Sequence, residues 1–214
     1  CGASQANTGS PIRFVWGNPA SSDVNQTGRC YVNGINNPDM SCGSGIFIAS
    51  TIDQSKTRLN HVTLDGAYGI PVDINGQGSI KYAAMVFDGA SLSVTSPTFR
   101  NINTTNVLAI NGASPTFDGG TFEVGVDGQG YQGAAIQAYG AGAGVVVMQV
   151  LNSAFTGEDE SECGNSGGGR SAIYLEDSFV KMDRISITQN TFGAFLRSSS
   201  GYLTNSTVNT KCNA

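Results

Sequence analysis

Four short phrases recur along this chain, each an apolar run that closes on a turn residue. They are "VTLDG" ending at Gly66, "MVFDG" at Gly89, "LAING" at Gly112 and "IQAYG" at Gly140. The first three glycines are spaced by 23 residues, and the fourth follows after 28. Two further copies lack the glycine, "IYLED" ending at Asp177 and "AFLRS" ending at Ser198. The irregular intervals have visible causes. A Gly-rich stretch at 125–133, "GVDGQGYQG", absorbs one excess, and a polar insert at 157–170, "GEDESECGNSGGGR", absorbs the other. With these removed the period returns to about 22 residues, and a repeat of that length with its inserts gathered at one point signals a solenoid.

Within each period apolar residues alternate, as at Leu92 and Val94, Val145 and Val147, Phe179 and Met182, and Ile185 and Ile187. No L-x-x-L-x-L frame or helical half is present, which argues against a leucine-rich repeat. Three short strands per period predict an all-β chain, a right-handed parallel β-helix whose apolar side chains fill a narrow core. Asn, Gly and Asp would turn its corners. Strands at intervals of 8–12 residues also fit a β-sandwich, which stands as the alternative. Residues 1–43 do not join the repeat. They read as an N-terminal extension and cap, with a strand in "PIRFVWGN", over a β-helix at 44–214. Such a cap would cover the first coil, whose core and backbone groups are otherwise exposed.

Composition narrows function mainly by exclusion. Charged residues are only 13% of the chain, the net charge is −5 and the pI is about 4.7, so no basic face is available for nucleic acid. No apolar run is long enough for a transmembrane segment. A single histidine and the lack of a CxxC pair argue against zinc, and no cofactor or metal is expected. Scattered cysteines in a Gly- and Asn-rich chain predict disulfides in an oxidising compartment. Of the three pairings open to four cysteines, Cys30–Cys42 with Cys163–Cys212 is the expected one. Cys1 is left over, with two destinations: a bond to another chain, or a lipid anchor, since "CGAS" looks like the start of a mature bacterial lipoprotein. Starting at a cysteine also suggests that a signal peptide has been removed.

The stretch "CGNSGGGRSAIYLEDSFVKMDRISITQNTFG" resembles the passenger repeats of autotransporter adhesins and polymorphic outer-membrane proteins. Gly167, Gly168, Gly169, Ala172, Ile173, Asn190 and Phe192 carry the likeness. The resemblance implies a secreted, surface-exposed stalk or adhesin.

Several residues invite a chemical reading, each beside a plainer one. Asp65 and Asp88 take the same place in the aligned phrases, so their carboxylates would lie about 5 Å apart, as in a retaining glycosidase. Tight Asp-Gly turns explain both equally directly. His61 is an acid–base candidate or a surface histidine. Glu158, Asp159, Glu160 and Glu162 form either a ligand-contact loop or a solvated acidic one. Tyr139 and Tyr174 are candidates for stacking on sugars, or pack at a strand edge. Asn25, Asn103 and Asn205 each open an N-x-Ser/Thr sequon. The expectation is a non-enzymatic structural or adhesive protein, extracellular or at a cell surface, that self-associates head to tail into a filament. Cell-surface glycans are the other expected partner. A polysaccharide-binding or polysaccharide-degrading β-helix using Asp65, Asp88 and His61 is the alternative.

Overall fold

A computed structural model describes residues 12–15, 31–32, 35–36, 45–67, 69–74, 80–102, 104–123, 134–140, 144–157, 171–190 and 192–210. No helix occurs among them. The chain opens with β1 (Ile12–Val15) and a small antiparallel pair, β2 (Tyr31–Val32) with β3 (Ile35–Asn36). The first coil is β4 (Ile46–Ala49), β5 (Leu59–Asn60) and β6 (Val62–Asp65). After β7 (Ile70–Asp73) comes the second coil, β8 (Ile80–Asp88), β9 (Ser93–Thr95) and β10 (Thr98–Arg100). The third is β11 (Thr105–Ile110), β12 (Thr116–Asp118) and β13 (Thr121–Glu123). The fourth is β14 (Ala134–Tyr139), β15 (Val146–Leu151) and β16 (Ala154–Thr156). The fifth is β17 (Ser171–Glu176), β18 (Ser178–Asp183) and β19 (Ser186–Asn190). The sixth is β20 (Phe192–Arg197), β21 (Ser200–Thr204) and β22 (Thr207–Thr210).

Like strands of successive coils pair in parallel and build three sheets. Sheet I runs β4-β8-β11-β14-β17-β20, sheet II runs β5-β9-β12-β15-β18-β21, and sheet III runs β1-β6-β10-β13-β16-β19-β22. This is the right-handed parallel β-helix, and parallel pairing around one core rules out the sandwich alternative. Only β7, which pairs antiparallel with the start of β8, interrupts the pattern in the coils. The strand expected in "PIRFVWGN" is β1, and it extends sheet III by pairing with β6. The chain leaves sheet III at Glu123 and Thr156 and returns in sheet I at Ala134 and Ser171. Both sequence inserts therefore fall at the same corner.

The core is a set of vertical columns. In sheet III, Leu64, Phe99, Phe122, Phe155 and Ile187 are register partners and all buried. Phe99 stacks on Phe122 at 5.1 Å and Phe122 on Phe155 at 4.7 Å, close to the strand spacing itself. Sheet II supplies Leu59, Val94, Phe117, Val150 and Met182, and sheet I supplies Ile48, Phe87, Ala109, Ala138 and Leu175. Bulk is balanced within each coil. The third coil sets Ala109 against Phe117 and Phe122, which meet edge to face at 5.7 Å.

Two readings of the repeat change with the register. The pairing of Asp88 with Ile110 puts Asn111, not Gly112, opposite Gly89. Gly66 follows a strand of sheet III, so it belongs to a different corner from Gly89 and Gly140. The 23-residue spacing from Gly66 to Gly89 was an echo between two corners of one coil path. It was not one corner repeated.

Candidate functional site

Corners explain most of the polar residues that looked chemical. At the turn from sheet II to sheet III, His61, Ser96, Gly119, Asn152, Arg184 and Asn205 all hold left-handed backbone, with φ between 48° and 72°. Each but the last donates its N–H to the carbonyl one coil on, from His61 to Thr95 (2.8 Å) through Arg184 to Thr204 (3.0 Å). Stacking thus satisfies backbone groups that a turn would otherwise leave bare. Asn, Ser and Gly suit this conformation.

A second contact recurs at four corners, with all three sheet junctions represented. The aspartate that ends a strand accepts a hydrogen bond from the amide of the corner asparagine one coil later. It joins Asp65 to Asn101 (2.7 Å), Asp88 to Asn111 (2.6 Å), Asp118 to Asn152 (2.6 Å) and Asp183 to Asn205 (2.9 Å). The partners are 36, 23, 34 and 22 residues apart, one coil plus one residue in each case. Aspartate before glycine, read from sequence as turn chemistry, is also inter-coil chemistry. Gly66 and Gly89 confirm the turn half of that reading, with φ of 70° and 61°.

This arrangement corrects the proposed carboxylate pair. Asp65 ends β6 in sheet III, whereas Asp88 ends β8 in sheet I, so they are not neighbours in register. Asp65 is buried and bonded to the Arg100 guanidinium at 2.9 and 3.0 Å as well as to Asn101. His61 is exposed at the sheet II–III corner, not within a strand. The structure brings none of the three together.

Tyr139 and Tyr174 do stand on the outer face of sheet I, but as a packed ladder. The Tyr139 phenol donates to Gln137 Oε1 at 2.8 Å, and Gln137 donates to Thr105 at 2.7 Å. Burial pushes the Tyr139 phenol far above its ordinary value. Tyr174 lies between Tyr139 (5.6 Å) and Phe195 (5.4 Å, planes 2° apart), donating to Glu176 Oε2 at 3.0 Å. Burial and that hydrogen bond raise its pKa too. Their rings are occupied by one another, which favours the packing role.

Glu158, Asp159, Glu160 and Glu162 lie outside the described residues, as do Cys1, Cys30, Cys42, Cys163, Cys212, Asn25 and Asn103. Among the described residues, no group of three or more His, Cys, Asp or Glu side chains is placed to hold a metal ion. No helix among them is long and apolar enough to cross a membrane.

The outer face of sheet II carries what the sequence reading missed. Val145 and Val147, expected in the core, point outward and are 58% and 41% exposed. Phe179 also faces out, in register with Val147, and meets Tyr202 edge to face at 5.6 Å. Gln149, Lys181 and Tyr202 form the adjacent column. A signal for this exists. In every coil the core residue sits two before the corner residue, as Val94 to Ser96, Val150 to Asn152 and Met182 to Arg184. Counting back from Asn152 turns Val150, Met148 and Val146 inward and leaves Val147 and Val145 outside. Alternation alone could not choose, because both parities of "VVVMQVL" are mostly apolar.

Comparison with protein-family models, curated proteins and solved structures returns no match to this chain.

Proposed function

We propose that the chain is a non-enzymatic structural and adhesive protein, extracellular or at a cell surface, that is extended by a second copy stacking on its C-terminal end. The observation that carries this reading is the state of the sixth coil. Leu196, Leu203 and Val208 continue the three core columns, yet they are 48%, 49% and 45% exposed. Their predecessors Leu175, Met182 and Ile187 are buried. β20, β21 and β22 are also the last strands of their sheets, each with one edge unpaired among the described residues. Such edges are templates for another strand. Every pairing between coils is parallel, and β1 presents the opposite edge of sheet III, so head-to-tail stacking would continue that sheet in its own sense. Phe47 and Phe195 stand at the two ends of a single outward column, both half exposed. Heterologous contacts of this kind propagate into filaments. The resemblance to adhesin passenger repeats points to the same surface role.

Sedimentation velocity over a wide concentration range tests the proposal. The chain should form a ladder of species, and Leu203→Lys with Val208→Lys should reduce it to monomer. A monodisperse monomer at the highest concentration would overturn it. The polysaccharide-degrading alternative has lost the carboxylate pair on which it stood.

A further inference from the structure

We infer that the outer face of sheet II, over its fourth to sixth coils, binds a sugar that carries a carboxylate. The inference rests on the adhesive half of the reading above and names its partner chemistry. It uses a different surface from the end that self-associates.

The patch combines three kinds of group. Phe179 and Tyr202 offer aromatic surface, Tyr202 being 64% exposed, and Val147 and Val145 extend it along the fourth coil. A contiguous exposed apolar patch with a polar rim marks an interaction site. Gln149 and Ser200 supply an exposed amide and hydroxyl, with donor and acceptor capacity at the rim. Lys181 sits in register between Gln149 and Tyr202, on the same strand as Phe179.

Lys181 decides the class of ligand. Four other cations of the described residues stand in ion pairs and Arg58 bonds backbone carbonyls, whereas Lys81 of β8, like Lys181, is in no ion pair among them. Arg184 is paired with Asp183 and bonded to Asn152, Arg197 with Glu176, Arg100 with Asp65 and Lys56 with Asp53. The acid closest in sequence to Lys181 on this face is Asp183, and its oxygens are taken by Thr204 (2.8 Å), Asn205 (2.9 Å) and Arg184 (2.6 Å). Among the described residues no carboxylate forms an ion pair with Lys181. Lys181 feels the Asp183 charge along its strand but is in no ion pair with it. An exposed cation of this kind among aromatic and amide groups complements a single negative charge on a body with apolar and hydroxylated faces. A pyranose acid has that composition. A polyanion does not fit, because one cation cannot offset the repulsion from a chain of net charge −5.

Isothermal titration with glucuronic acid and sialyllactose as singly charged acidic probes, maltohexaose as neutral probe and a poly-glutamate peptide as polyanion tests this. At least one acidic sugar should bind. Lys181→Gln should weaken that binding by roughly tenfold, the scale of one lost charge-assisted hydrogen bond, and Tyr202→Ala should weaken it as well. Lys56→Gln, on a distant loop, should leave it unchanged. Silence from both acidic sugars, equal binding of maltohexaose, equal binding of the peptide, or indifference to Lys181→Gln would each overturn the inference. Sedimentation of Lys181→Gln separates the two proposals: it should assemble as the parent does while losing the sugar.

Discussion

The two ends of this solenoid are built from the same columns and finished differently. At the N-terminal end Ile48 is 3% exposed and Leu64 is wholly buried, although both belong to the first coil. At the other end the corresponding Leu196 and Val208 are nearly half exposed. A coil is buried only by what lies on both sides of it, because neighbouring coils share the core and hydrogen bond to one another. The position of a coil, rather than its residue types, therefore sets what its leucines contribute.

The largest expected effect tests this directly. Phe122→Ala, in the middle of the stacked phenylalanine column, should destabilise by about 3–5 kcal/mol. Leu203→Ala, at the open end, should cost about 1 kcal/mol, since only half of its surface is removed from water. Urea denaturation of both variants checks the contrast, and equal losses would mean the last coil is covered in solution.

Glycines give the next comparison. A Cβ at Gly140 would fall on the carbonyl oxygen of Asp177, and one at Gly201 on that of Val180. The strand β14 that leads into Gly140 is paired on both sides, whereas β21, which holds Gly201, is paired on one side among the described residues. Gly140→Ala should cost about 1–3 kcal/mol, and Gly201→Ala distinctly less, by the same measurement.

The corner aspartates sharpen it further. Asp65→Ala leaves the Arg100 guanidinium, itself 44% exposed, without its carboxylate; a loss of about 1–2 kcal/mol is expected, below that of a fully buried pair. Asp183→Ala, at a half-buried counterpart nearer the C-terminal end whose Arg184 partner is 57% exposed, should lower the denaturation midpoint by less. If the order is reversed, the Asp–Asn contact matters more at the open end than in the body.

The smallest effect is one of pH. Hydrogen bonds from Asn205 and Thr204 hold the Asp183 carboxyl below its ordinary range. A folded value below the unfolded one means that the stabilisation is fully present above the unfolded pKa. It is lost as the pH falls through the lowered folded value. Hydrogen exchange in β21 and β22 should rise below about pH 4, and Asp183→Asn should blunt that rise.

Much of this was legible beforehand. The period, the three strands per coil, the placement of the inserts and the role of Asp-Gly as turn all follow from residues that only certain backbone conformations accept. Such preferences are local, so one chain displays them. Facing was less legible. Val145 and Val147 read as core because alternation gives a period of two but no origin, and the origin is set by the corner at Asn152. The carboxylate pair failed for a related reason, since Gly66 and Gly89 look alike in sequence but turn different corners. By itself, then, the sequence determined a parallel β-helix with Gly, Asn and Asp corners. Tertiary structure alone decided which acids are spent on the next coil, which side chains of sheet II face outward and which coil leaves its core column exposed. Those are outcomes of register between strands 20 to 40 residues apart, and a shift of one residue exchanges the inside of a sheet for its outside.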